Sequence, residues 1–204
     1  MRLVTRRLLL LFAVALILWT GSAHAQSSAT DAIRRFYDVL LQTMKNGQAL
    51  GPSGRYRAIQ PAVAQTFDIP YMTSLAVGPK WANLSPSEQA QVTSAFQRYT
   101  VANYANQFDS YEGQQLRVSG EDRRATDTIV NTDIVKSDGT PVQVKYRMHS
   151  VGGGWRIIDV YLDGSISQLA VRRSEFSSVL GEQGVNGLIS TLNQKADNMV
   201  GSAR

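Results

Sequence analysis

The period at which apolar residues recur changes twice along this chain of 204 residues. That change limits the possible folds more than any motif does. Up to about Tyr111 the apolar positions are three and four apart, the repeat of a helical face. From Gly113 to Tyr161 they alternate with polar residues, and from Ile166 the helical repeat returns. Helices, then strands joined by short Gly-containing turns, then helices again predict an α+β domain: a curved antiparallel sheet of four to five strands packed against several helices and enclosing an apolar pocket.

The first helical stretch carries Ile33, Phe36, Tyr37, Leu40, Leu41 and Met44, with Ser28 or Thr30 as its cap and Gly47 just past its end. Gly51-Pro52-Ser53-Gly54 is expected to form a turn, and Tyr56, Ile59, Val63 and Phe67 a helix that Pro61 starts or kinks. Asp68 should cap a short helix with Met72, Leu75 and Ala76, stopping at Gly78-Pro79. Ser85-Pro86-Ser87-Glu88 has the form of a capping box and predicts a helix to about Tyr111. Its aromatic residues spread over an arc wide enough to meet more than one neighbour.

Strands are predicted around Leu116 and Val118, Thr128–Ile134, Val142–Met148 and Trp155–Tyr161, with turns at Asp138-Gly139 and Gly152-Gly153-Gly154. In the last strand Trp155, Ile157 and Tyr161 should share one face, and Ile158 and Val160 the other. Ile166, Leu169, Ala170, Phe176, Val179 and Leu180 predict a helix ended by Gly181, and Val185–Met199 a second.

The formal charge of +5 invites a nucleic-acid partner, but its distribution argues otherwise. Residues 1–7 hold Arg2, Arg6 and Arg7, an apolar run extends from Leu8 to Trp19, and Ala23-His24-Ala25 follows. These are the parts of a secretory signal peptide, expected to be cleaved after Ala25 and to leave residues 26–204 as one domain. Such a run spans about 18 Å as a helix, too short for a hydrocarbon core of roughly 30 Å. All sixteen acids lie beyond it, so the remaining charge is 18 − 16 = +2, with no Lys/Arg run. Nucleic acid is therefore not expected as a partner. The periplasm is the expected location, and a monomer the expected state.

Little in the sequence supports catalysis. Without cysteine there are no disulfides, thiolate nucleophiles or cysteine-ligated metals. Beyond Ala25 the only histidine is His149, in phase opposite to Met148 and therefore expected to face solvent. Neither a metal site nor a cofactor is expected. Glu121-Asp122-Arg123-Arg124 is expected to be a hydrated turn. Asp159, between Ile158 and Val160, is expected to make a structural hydrogen bond; the alternative is a small periplasmic enzyme using it as acid or base.

What remains is a surplus of large apolar side chains. Leu75, Trp81, Phe96, Tyr99, Tyr104, Phe108, Tyr146, Met148, Trp155 and Ile157 are the candidates for a pocket between helices and sheet. The same residues fit a filled core, or an apolar groove that receives a partner protein.

Two blocks resemble the MlaC, or toluene-tolerance, family. The first is Phe67-Asp68-Ile69, Met72, Gly78, Trp81 and Ser85-Pro86-Ser87-Glu88-Gln89 leading to Phe96 and Tyr104-Ala105. The second is Trp155-Arg156-Ile157-Ile158-Asp159-Val160, Asp163-Gly164, Ser167, Arg173-Ser174-Glu175-Phe176 and Gly187-Leu188-Ile189. The resemblance implies a periplasmic lipid-binding shuttle. Its cargo would be a lipid with an acyl or polycyclic body, handed between an inner-membrane ABC transporter complex and an outer-membrane complex. Val171 and Arg172 depart from the Asn-Tyr-Arg that often precedes the family's Ser, whereas Arg173 matches it, and Asp163-Gly164-Ser165-Ile166-Ser167-Gln168-Leu169-Ala170 with Arg173-Ser174-Glu175-Phe176 looks closer to the hopanoid-associated HpnM branch. That leaves both a phospholipid and a hopanoid-related lipid as candidate cargo.

Overall fold

A computed structural model describes residues 28–201. The expected targeting segment, residues 1–25, lies outside these described residues. The element order is α1 (Ala29–Lys45), α2 (Gly47–Thr66), α3 (Ile69–Val77), a 3-10 turn (Gly78–Asn83), α4 (Pro86–Gln107), β1 (Gln115–Arg123), β2 (Thr128–Val135), β3 (Pro141–Val151), β4 (Gly154–Leu162), β5 (Ile166–Ser167), α5 (Gln168–Glu182) and α6 (Gly184–Val200). The five strands form one antiparallel meander in sequence order, so the chain is an α+β domain as the change of period predicts.

Local signals set most boundaries. Ser28 caps α1 and Ser85 caps α4, each with a reciprocal box to the acid three residues on, Asp31 and Glu88. Both carboxyls are held below the usual range, first by the hydrogen bond from the capping serine's side chain and then by the serine's backbone N–H. Asp68 caps α3 and accepts the N–H of Tyr71 at 3.1 Å.

Several boundaries differ from expectation. Gly47 begins α2 rather than trailing α1, because Asn46 serves both ends; a Cβ there would lie 1.8 Å from the Asp109 carbonyl oxygen. The expected turn at Gly51 is a single break with φ 61°, after which the helix resumes and runs through Pro61 to Thr66. Pro61 costs one backbone hydrogen bond but does not end the helix, whose buried Ile59 and Val63 anchor it on either side. α4 stops at Gln107, with Phe108 as its cap, so Tyr111 lies beyond it. Ile166 belongs to β5, and Gly181 lies within α5.

The strand faces carry a second correction. Met148 pairs with Ile157 but Arg147 pairs with Asp159, so Ile158 is an extra residue in β4. A bulge of one residue exchanges the faces beyond it. Ile157 and Val160 therefore both enter the core, opposite Met148 and Tyr146, while Tyr161 pairs with Lys145 on the other face. A similar irregularity at Ser119 in β1 puts Glu121 opposite buried Val130. The expected charged turn is thus the end of a strand, and the turn itself is closed by the Arg124 N–H donating to Asp127 O at 2.8 Å.

The helices cover one face of the sheet in two layers. α1, α2, α3 and α5 touch strands directly; α4 lies behind them and packs along α6, with Arg98 of α4 ion-paired to Asp197 of α6. Rings join the layers: Phe36 meets Phe67 at 5.4 Å and Tyr104 at 5.2 Å, both edge-on. In the same core the Tyr37 hydroxyl donates to Thr132 Oγ1 at 2.7 Å, which donates in turn to Val144 O at 2.7 Å.

Candidate functional site

The three aromatic residues of α4, expected to spread over a wide arc, fall instead on one face that forms a wall. Phe96, Tyr99, Thr100, Asn103, Tyr104 and Gln107 follow one another at helical spacing, so they make a single stripe along the helix. Facing it across a cleft of about 100 Å³ are Met72 of α3, Val160 and Leu162 of β4, and Gln168, Leu169 and Arg172 of α5. Phe67 at the end of α2 completes the floor. The inner end is aromatic: Tyr104 packs on Phe67 at 5.5 Å and on Phe36 at 5.2 Å. Its phenol is pushed far up, first by burial and then by the neighbouring Tyr37. The rim is amide and guanidinium, from Asn103, Gln107, Gln168 and Arg172.

Side-chain and main-chain hydrogen bonds tie the helices that form each wall to the sheet. Asp68 donates its N–H to Ile157 O at 2.9 Å, and its Oδ2 lies 2.8 Å from Nε2 of His149, so the start of α3 is tied to both β4 and β3. His149, expected to face solvent, is instead half-buried against Tyr71, ring centroids 5.1 Å apart. At the far side Asp159 holds α5: Oδ1 accepts the N–H groups of Val160 and Leu169 at 2.8 and 3.0 Å, and Oδ2 accepts the Ser167 hydroxyl at 2.6 Å. Both oxygens are engaged in joining β4 to the first turn of α5. α3 and α5 also meet directly where Gly78, at φ 68°, passes the Arg173 guanidinium; a Cβ there would be 3.4 Å from its Nε.

Of the ten residues singled out from sequence, Phe96, Tyr99 and Tyr104 line this cleft. Phe108 stacks on Tyr104 at 5.7 Å, one ring behind the wall. Tyr146, Met148 and Ile157 are fully buried in the core between sheet and helices. Leu75 is 38% exposed on the outside of α3, and Trp81 lies half-buried in the 3-10 turn. Trp155 lines a different hollow, with Arg35 and Arg156 among its neighbours, between α1, α2 and the β3–β4 hairpin. Thr100, Asn103, Gln107 and Gln168 escape a search for apolar lining because they are polar, although the first three continue the spacing of Phe96. Leu169 and Arg172 repeat at three residues on α5, which is legible as a helical face but not as this wall.

An aromatic helix, a sheet edge and a covering helix thus bound a small, largely apolar cleft in this α+β domain. The chain belongs to the MlaC protein family, whose model matches residues 34–194. Among solved structures, it shares its fold with a phospholipid-binding protein from Ralstonia solanacearum determined in complex with a phospholipid: TM-score 0.74, 21% identity, covering 85% of this chain and 99% of that one. No protein of curated function matches the sequence.

Proposed function

We propose that the chain, one domain over residues 26–204 after removal of its targeting segment, is a lipid-binding shuttle of the periplasm. It takes a phospholipid or hopanoid-related lipid and passes it between membrane complexes of an ABC-type transport system. The observation that carries this reading is the stripe of α4, which supplies an apolar cleft floored by Phe67 and Tyr104 and rimmed by side chains that tolerate water. Membership of the MlaC family and the phospholipid held by the Ralstonia protein of the same fold support it. The physics of carriage supports it too. Each methylene left in water costs about 0.8 kcal/mol, so moving an acyl chain through an aqueous space needs an enclosed apolar path.

The cargo is expected to enter between α4 and α5 with its tail against Phe96, Leu169 and Met72 and its polar end at the rim formed by Asn103, Gln168 and Arg172. Tyr146, Met148 and Ile157 then support the wall from behind, and Trp81, Leu75 and Trp155 take no part in holding the tail. The test is loading. Protein incubated with vesicles of phosphatidylethanolamine and phosphatidylglycerol and re-isolated by gel filtration should retain about one phospholipid per chain by phosphorus assay. Asn103→Trp, which fills the rim from a half-buried position, should lose most of it while keeping its helical circular dichroism. Equal loading of the two proteins would place the lipid elsewhere.

A further inference from the structure

The cleft has one charged residue among its lining side chains, Arg172, and no acid. The Arg172 side chain is only 19% exposed, and its guanidinium lies 5.2 Å from the centroid of the Tyr99 ring, itself part of the wall. Its Nη1 donates to Glu175 Oε2 at 2.6 Å, but Glu175 stands outside the lining, is 40% exposed, and is shared with Lys195 at 3.6 Å. A guanidinium carries five N–H donors in a flat fork, more than the single oxygen of Glu175 takes up. Arg172 therefore presents a half-desolvated cation to the mouth of an otherwise neutral cleft, placed over the Tyr99 ring and steadied from the solvent side by an acid that a ligand can displace.

A cation so placed discriminates among lipids. An acyl chain running past Phe96 and Leu169 brings whatever terminates it to Arg172. An oxyanion there gains an ion pair with two parallel hydrogen bonds from the guanidinium, whereas a neutral ester or hydroxyl accepts a single hydrogen bond without the ion pair. We infer that Arg172 is a specificity-determining residue that selects amphiphiles bearing a phosphate or carboxylate next to the tail, with Glu175 as the internal competitor for the same guanidinium. This deepens the lipid-carrier reading and rests on it. The preferred cargo is a lipid with an oxyanion beside its tail rather than any molecule with a tail.

The two residues predict changes of opposite sign, which a merely structural ion pair would not give. Binding is to be measured with three probes of matched chains: phosphatidate, oleate and diacylglycerol, each offered to the full mature chain. The wild-type protein should prefer phosphatidate or oleate to diacylglycerol by roughly tenfold, the scale of one charge-assisted contact. Arg172→Gln should erase that preference, Arg172→Lys should keep part of it, and Glu175→Gln should raise it several-fold by freeing the guanidinium. Arg172-dependent binding of phosphatidate alone or of oleate alone supports the assignment and says which oxyanion is read. Should Glu175→Gln weaken anionic binding as Arg172→Gln does, the pair is structural and the inference falls. It also falls, leaving the carrier reading intact, if wild type and Arg172→Gln bind all three probes in the same ratio. Binding of none of the probes by the wild-type protein overturns both.

Discussion

At the scale of single residues, the polar groups buried in this protein work as fasteners. Arg55, 9% exposed, donates from Nε to Ala105 O at 2.9 Å and from Nη1 to Gly47 O at 3.0 Å, so its charge meets main-chain oxygens, one in the last turn of α4 where the helix dipole is negative. Asp159 is the carboxylate counterpart. The sequence leaves it open between a structural bond and an acid–base group, and the three donors it accepts describe a joint between β4 and α5. Asp159→Asn would set an NH₂ against one or more of those donors and is expected to cost about 1–3 kcal/mol in chemical denaturation, the range for leaving a buried partner unsatisfied. Unchanged stability would mean that the joint is held by other contacts.

At the scale of elements, the sequence is most informative where a local signal has one structural outcome. The cap at Ser28 (one of the two candidates for it), the box at Ser85, the cap at Asp68, the stop at Gly78 and the two hairpin turns around Asp138 and Gly152 all appear where their residues predict them. It is least informative where the outcome depends on a distant partner. Nothing near Ile158 announces a bulge; the extra residue is visible only against the register of β3, and it decides which of Ile157, Val160 and Tyr161 reach the core. His149 reads as a solvent residue from its phase alone, because its partner Asp68 lies 81 positions away. The cleft is half legible for the same reason. The apolar members of the α4 stripe stand out, while Thr100, Asn103 and Gln107 in the same stripe do not, since a polar residue at helical spacing looks like an exposed face until α5 is seen across from it.

At the scale of the whole molecule, the double helical layer over one face of the sheet explains how a chain without disulfides stays folded around an apolar cleft. Its interior includes the tyrosines Tyr37, Tyr104 and Tyr146. The phenols of Tyr37 and Tyr146 are raised chiefly by burial, as is that of Tyr104, and Tyr104 and Tyr37 further raise Tyr146. An unfolded tyrosine ionises near pH 10, so a folded-state value above this means the native chain holds protons that the unfolded chain gives up. The resulting stability is fully present below about pH 10 and is lost as pH rises beyond it. Alkaline titration should show these tyrosines ionising only together with loss of the far-ultraviolet circular dichroism signal. Ionisation of all eight tyrosines while the fold persists would contradict the packed arrangement of this cluster.

Native mass spectrometry of the protein isolated gently from its own host, followed by lipid analysis of the dissociated ligand, is expected to show the chain, cut after Ala25 as proposed, carrying one lipid. A protein found without lipid, and still empty after exposure to host membranes, would contradict the account of this chain as a lipid carrier.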